Sequence, residues 1–225
     1  MVGATTPRSL LSATMKDHTQ CGDFQGDLRG KIQSVIENSA LVKSLRRRAN
    51  CLESRPLSLP DDVRREHLVA GLMSGSESIP VTPYSFLEQT QEGYKLTMIL
   101  YVGPNLSGHP GWAHGGFIAT LLDESIARCA FQAMPTKVGV TANLSINYRK
   151  PIQLRQYLVV TARTVRTEGR KVFAEGWIEK FQADDDNYEQ EILAEASAVV
   201  VSLQQVSSEV SLITKCDTPN IAFFH

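Results

Sequence analysis

The sequence predicts an α+β domain in which one antiparallel sheet wraps around a long central helix, preceded by a helical extension. Three observations predict it. Residues 115 to about 134, containing FIATLLDESIARCAFQAM, are apolar over most of a helical circumference, as an enclosed helix is and a surface helix is not. Two strand-like segments precede this helix and four follow it in succession. The chain has 225 residues, 42% hydrophobic and 21% charged, enough for one domain of ordinary size with an extension.

In chain order, residues 1–25 show no period and read as unstructured. The start, MVGATTPRSLLSATMK, has no acid and carries Arg8 and Lys16 among Ser and Thr. That pattern has something of a mitochondrial transit peptide, but two basic residues are sparse for one. The expected location is cytoplasmic, with mitochondrial as the alternative. Residues 27–49 read as one helix, because Leu28, Ile32, Val35, Ile36, Leu41, Val42 and Leu45 recur at helical intervals. It ends in Arg46, Arg47 and Arg48, cations that complement the helix dipole or, alternatively, dock an acidic partner. LESRPLSLPDD at 52–62 reads as a linker, and a short helix is expected around 62–73.

From about 80 the pattern becomes β. Strands are expected at 80–90 and 94–103, joined by the turn QEG. The Gly/Pro-rich loop GPNLSGHPGWAHGG leads into the long helix. Strands then follow at 138–149, 156–167, 171–181 and 190–203, with KPI, EGR and ADDDN as turns. The expected organisation is an extension over 1–60, a domain over 61–205 and a tail over 206–225.

Several function classes drop out on composition. A net charge of −1 gives no basic field for nucleic acid. The four cysteines at 21, 51, 129 and 216 form neither a CxxC pair nor a zinc spacing, so no metal site, no disulfide framework and a reducing compartment are expected. No Walker-type or GxGxxG phosphate loop occurs, and no resident cofactor is expected. No uncharged apolar run is long enough to predict a membrane span.

The informative segment is His114-Gly115-Gly116 at the helix start, with Asp123 nine residues after the histidine. PGWAHGGFIATLLDE followed by TANLSINYRKPI resembles the hotdog-fold acyl-CoA thioesterases, small eukaryotic type, over roughly residues 80–203. The hotdog fold is the architecture described above. The residues agree with that resemblance physically. Amides at a helix N-terminus are unpaired and the dipole favours negative charge there. Glycines let a ligand come close to the backbone, so the helix start, led by Gly115, can stabilise the oxyanion of an attacked thioester. The plainer alternative is that both glycines only ease helix packing.

Asp123 sits mid-helix, where Asp is a poor helix former and a buried carboxylate must be paired or used. It can act as general base or as nucleophile; the structural alternative is a carboxylate satisfied by hydrogen bonds. Gly115 and Asp123 are eight residues apart, about 12 Å along one helix, too far to serve one carbonyl. Two antiparallel helices would bring Gly115 of one subunit against Asp123 of another. A homodimer, alone or as a dimer of dimers, is therefore expected.

The resemblance further implies that Thr141 lies near the catalytic carboxylate and holds the water, with Asn143 a weaker candidate on the same strand face. His114 would orient the loop or the substrate. Gly108, beside His109, occupies a position where related enzymes often carry a polar residue. Glu124 lies about 100° around the helix from Asp123 and is expected to pack or pair. Arg149-Lys150 and Arg170-Lys171 are candidates for the phosphates of an acyl-CoA or acyl-carrier substrate. The expected activity is hydrolysis of an acyl thioester to an acid and a thiol. The alternatives are a hotdog dehydratase or isomerase acting on an acyl thioester, and a non-catalytic acyl-binding module.

Overall fold

The computed structural model describes residues 22–55, 61–181 and 191–203. The expected leader-like start, Cys21, the ADDDN turn and the tail with Cys216 lie outside the described residues.

The extension forms two helices rather than one, α1 (Gly22–Asn38) and α2 (Ala40–Arg46). The break is Ser39, which is buried and extended in backbone. Its hydroxyl donates to the Ile36 carbonyl at 2.7 Å and accepts from the Val42 amide at 3.2 Å. Ser39 thus ends one helix and caps the next, a local bonding pattern that an apolar period cannot reveal. Of the three arginines at its end, Arg46 and Arg48 pair within the chain. Arg46 makes a two-pronged contact to Glu53 and Arg48 reaches Glu88, while Arg47 is the C-cap of α2.

The expected linker begins as a strand. β1 (Cys51–Ser54) pairs antiparallel with β2 (Tyr84–Thr90) and forms one edge of the sheet. Between them lie α3 (Asp61–Glu66) and a π turn over Leu68–Leu72. β3 (Gly93–Val102) returns from β2 through Gln91-Glu92, with Gly93 at φ 135° where a side chain would be strained. A 3₁₀ turn (Pro104–Leu106) and a small hairpin of β4 (Ser107–His109) and β5 (Trp112–Ala113) lead to α4 (Gly115–Gln132). β6 (Gly139–Tyr148), β7 (Gln156–Glu168), β8 (Lys171–Lys180) and β9 (Ile192–Ser202) complete the fold.

Seven strands make one antiparallel sheet in the order β1-β2-β3-β7-β8-β9-β6. Its inner face holds α4. Leu96, Met98, Leu100, Leu158, Val160, Ala174, Ile178 and Val200 pack there with Phe117, Leu121, Leu122 and Ile126 of the helix. Close approach depends on Gly176 of β8, where a Cβ would lie 2.9 Å from Ile126 Cγ1. This is the hotdog arrangement. The extension covers the outer face at the opposite end of the sheet: Ile32, Ile36, Val42 and Leu45 bury Tyr84, Phe86, Ile99 and Val159 in a second core. Each such side chain, fully buried, contributes about 1.5–3 kcal/mol.

Candidate active site

The helix start is built around His114. Its backbone is extended and it is the N-cap residue of α4. The ring Nδ1 accepts the Gly116 amide at 2.9 Å, and the His114 carbonyl accepts from Ile118 at 3.1 Å. An Nδ1 that accepts requires the neutral ring with its proton on Nε2. Tyr148, at the far end of β6, donates its hydroxyl to the Gly115 carbonyl at 3.1 Å. The Gly116 amide is thus occupied, whereas the Gly115 amide is exposed and has no partner among the described residues. The two glycines expected to act together are therefore in different situations.

Gly108 also finds its reason here. A Cβ at that position would stand 3.0 Å from His114 Cα and 3.2 Å from its Cδ2. A polar side chain at 108 would displace the capping histidine. His109 beside it is exposed in the β4–β5 hairpin, where its carbonyl accepts from the Ser107 hydroxyl.

Two turns along α4, half-buried Asp123 faces β6, where Thr141 donates to its Oδ1 at 2.8 Å. With its proton spent on the carboxylate, the Thr141 oxygen can accept from a water. A bulge in the β6–β9 ladder makes this contact possible: Thr141 stands opposite Val200 and Asn143 opposite Val199, so Ala142 is extra. The inserted residue shifts the side-chain alternation. Thr141 and Leu144 both face the helix side, while Asn143 falls in phase with Ser145 and Asn147 on the outer face. Asn143 is therefore not on the face of Thr141, contrary to the strand period.

Glu124 points into the interior, one turn from Arg128. Burial pushes the Arg128 guanidinium down to about 10, with the Glu124 carboxylate pulling the other way. Burial of Cys129 likewise pushes its thiol up to about 12, so it is an inert core group.

The basic candidates separate. Arg149 and Lys150 follow Tyr148 and border a cavity of about 180 Å³ with Ala113, Gly115, Ile118 and Ile152. Both already pair with acids, Arg149 with Glu195 and Lys150 with Glu191. Arg170 and Lys171 are exposed at the other end of the sheet, where Ser202 bonds the Arg170 carbonyl and Lys171 lies opposite Val201. A larger cleft, about 540 Å³, lies on the outer face near Ser145, Trp177 and Glu179, away from α4. Among the described residues no cluster of His, Cys, Asp and Glu could hold a metal, and no helix is long and apolar enough to cross a membrane.

Comparison with known families gives the arrangement a place. The model of the thioesterase superfamily matches residues 110–182, from the loop before His114 to the end of β8. That segment is similar to the thioesterase superfamily. Among similar proteins, an "Uncharacterized protein, mitochondrial" of Candida albicans is 31% identical over 54% of this chain and 54% of its own length. MIOREX complex component 3 of Saccharomyces cerevisiae is 31% identical over 78% of this chain and 63% of its own length. Mouse acyl-coenzyme A thioesterase THEM4 is 37% identical over 48% of this chain and 44% of its own length. The chain thus spans 44–63% of the length of these relatives. The thioesterase-superfamily segment contains the capped helix start, Asp123 and Thr141. Tyr148 carries no catalytic signature in sequence; its only signal is a tyrosine at the end of a strand whose alternation points it to the helix.

Proposed function

We propose that this protein hydrolyses an acyl thioester, with acyl-CoA the first substrate to test, at two equivalent sites between the subunits of a homodimer. The observation that carries this reading is the Thr141–Asp123 contact of 2.8 Å on a half-exposed flank of α4, with a free Gly115 amide about 12 Å away along the same helix. Gly115 of one subunit binds the carbonyl oxygen as it gains charge. Asp123 of the other activates water or attacks the carbon, and Thr141 holds the water. The thiolate leaves, giving acid and thiol. Subunits join through β6, whose edge carries no charged residue along its ten positions and which exposes Val140 and Tyr148. The acyl-CoA choice is supported by the name of the THEM4 relative. Arg149 and Lys150 beside Gly115 are better placed than Arg170 and Lys171 for a phosphate, at the cost of their acidic partners.

The test is thiol release from acyl-CoAs of graded length, comparing native protein with Asp123→Asn while sedimentation reports the oligomer. Release that collapses in the variant with the dimer intact supports the proposal; equal release from both sinks the role of Asp123. A second reading is a non-catalytic component of a larger assembly, favoured by the name of the MIOREX relative and its alignment over 78% of this chain. Tight acyl-CoA binding without release, whatever the chain length, would select it. The Candida relative's name moves the proposed location from cytoplasm to mitochondria, which cell fractionation checks.

A further inference from the structure

The peptide unit joining Gly115 to Gly116 is held at both ends. Its carbonyl accepts the Tyr148 hydroxyl at 3.1 Å, and its N–H donates to His114 Nδ1 at 2.9 Å. The neighbouring unit is held at one end only, by Ile118 on the His114 carbonyl at 3.1 Å. Its other end is the Gly115 N–H, which is exposed and meets no acceptor among the described residues. A glycine pair at a helix start has wide backbone freedom, so nothing intrinsic to the two residues fixes where that N–H points. Tyr148 and His114 add a second constraint to the backbone bonds of α4, which begins at Gly115. The Tyr148 ring adds a wall: a Cβ on Gly115 would lie 3.8 Å from Tyr148 Cε1 and 4.0 Å from its hydroxyl. Yet Tyr148 is 56% exposed, so its ring is not fixed by the core and its placement rests on the hydroxyl bond.

We infer that Tyr148 is a positioning residue: by clamping the Gly115–Gly116 peptide from β6, it aims the Gly115 amide at the thioester oxygen. This rests on the hydrolase reading above. It also ties the oxyanion donor to the strand proposed as the subunit junction, so joining subunits and setting the donor involve one element. No bond forms or breaks at Tyr148; it acts through the backbone it holds.

Tyr148→Phe keeps the ring and removes the clamp. Two readouts on the full chain are needed. The first is amide hydrogen exchange followed by NMR. Exchange at Gly116 is expected to speed up severalfold, because the carbonyl of its peptide loses the Tyr148 bond, while β6 amides keep their rates. Unchanged Gly116 exchange overturns the clamp whether or not the protein is an enzyme. The second is turnover of the best acyl-CoA beside Asp123→Asn. In Tyr148→Phe, kcat is expected to fall about tenfold with KM little moved, since the aim of a donor affects the transition state more than binding. Tyr148→His, which retains a donor but not its reach, should not restore kcat. If Asp123→Asn is dead and Tyr148→Phe is fully active, the positioning role is wrong and the hydrolase reading stands. If the native protein turns over nothing, the reaction and the positioning role both fall, whatever exchange shows.

Discussion

The two edges of the sheet are treated in opposite ways. At one edge, β1 is four residues long, bears Glu53 bonded to Arg46, and lies beneath the arginines that follow α2. Short length and charge are the devices by which a sheet edge is closed to other chains. At the other edge, β6 is ten residues long, has no charged side chain and, among the described residues, pairs with no strand on its outer side. Every residue proposed for chemistry touches that open edge or the helix flank beside it. The extension supplies the short, charged edge strand, and the residues proposed for chemistry lie along or beside the long, uncharged one.

The contrast breaks most visibly at Asp123. Asp123→Asn should lower turnover at least about a thousandfold, the scale of losing a catalytic group, with the melting temperature unchanged; steady-state kinetics beside a thermal melt decide it. Leu45→Ala attacks the sealed side. Leu45 is 2% exposed in the second core, so the change should cost about 2–4 kcal/mol in denaturant unfolding while spared molecules keep full kcat. A loss of kcat that matches no loss of folded protein would mean the extension reaches the site. Val140→Lys places a charge on the open edge, where Val140 is 37% exposed. It should weaken self-association roughly tenfold to a hundredfold by sedimentation, about 1.4–2.7 kcal/mol, and activity should fall with the dimer. An unaltered oligomer would remove β6 as the junction.

Two smaller substitutions sharpen the picture of the sealed edge. Arg48→Ala leaves the carboxylate of nearly buried Glu88 without the contact it makes at 2.8 Å, at a cost of about 1–2 kcal/mol. Glu53→Ala removes the exposed partner of Arg46 and should cost under about 1 kcal/mol. If Glu53→Ala proves the more damaging of the two, burial is not what gives these pairs their weight.

The sequence made the central helix and its unusual start legible for physical reasons. The apolar circumference of 115–134 could only be an enclosed helix, and His114, Gly115, Gly116 and Asp123 each broke a local rule that an ordinary helix obeys. The strand segments after it read correctly because each is rich in β-formers and bounded by turn residues. What escaped depended on single residues acting through tertiary contacts. Ser39 splits a helix whose apolar period runs on across it. Cys51–Ser54 becomes a strand only because β2 offers an edge. The Ala142 bulge turns Thr141 inward and Asn143 outward, a change of phase that no window of hydrophobicity contains. Tyr148 looked like any strand aromatic until its hydroxyl had a carbonyl to meet.

The order of strands in the sheet also has a kinetic meaning. β7, β8 and β9 follow one another in both chain and sheet, so their contacts are local and form early. β3 meets β7 only after all of α4 and β6 has been looped out, with Val102 arriving opposite Gln156, and β6 must reach past two strands to find β9. Such long closures are slow. The strand proposed to join subunits is thus among the last to dock within its own subunit. Refolding should then show a slow phase whose rate rises with protein concentration, because a second chain can trap β6 in place; a slow phase independent of concentration would separate folding from assembly.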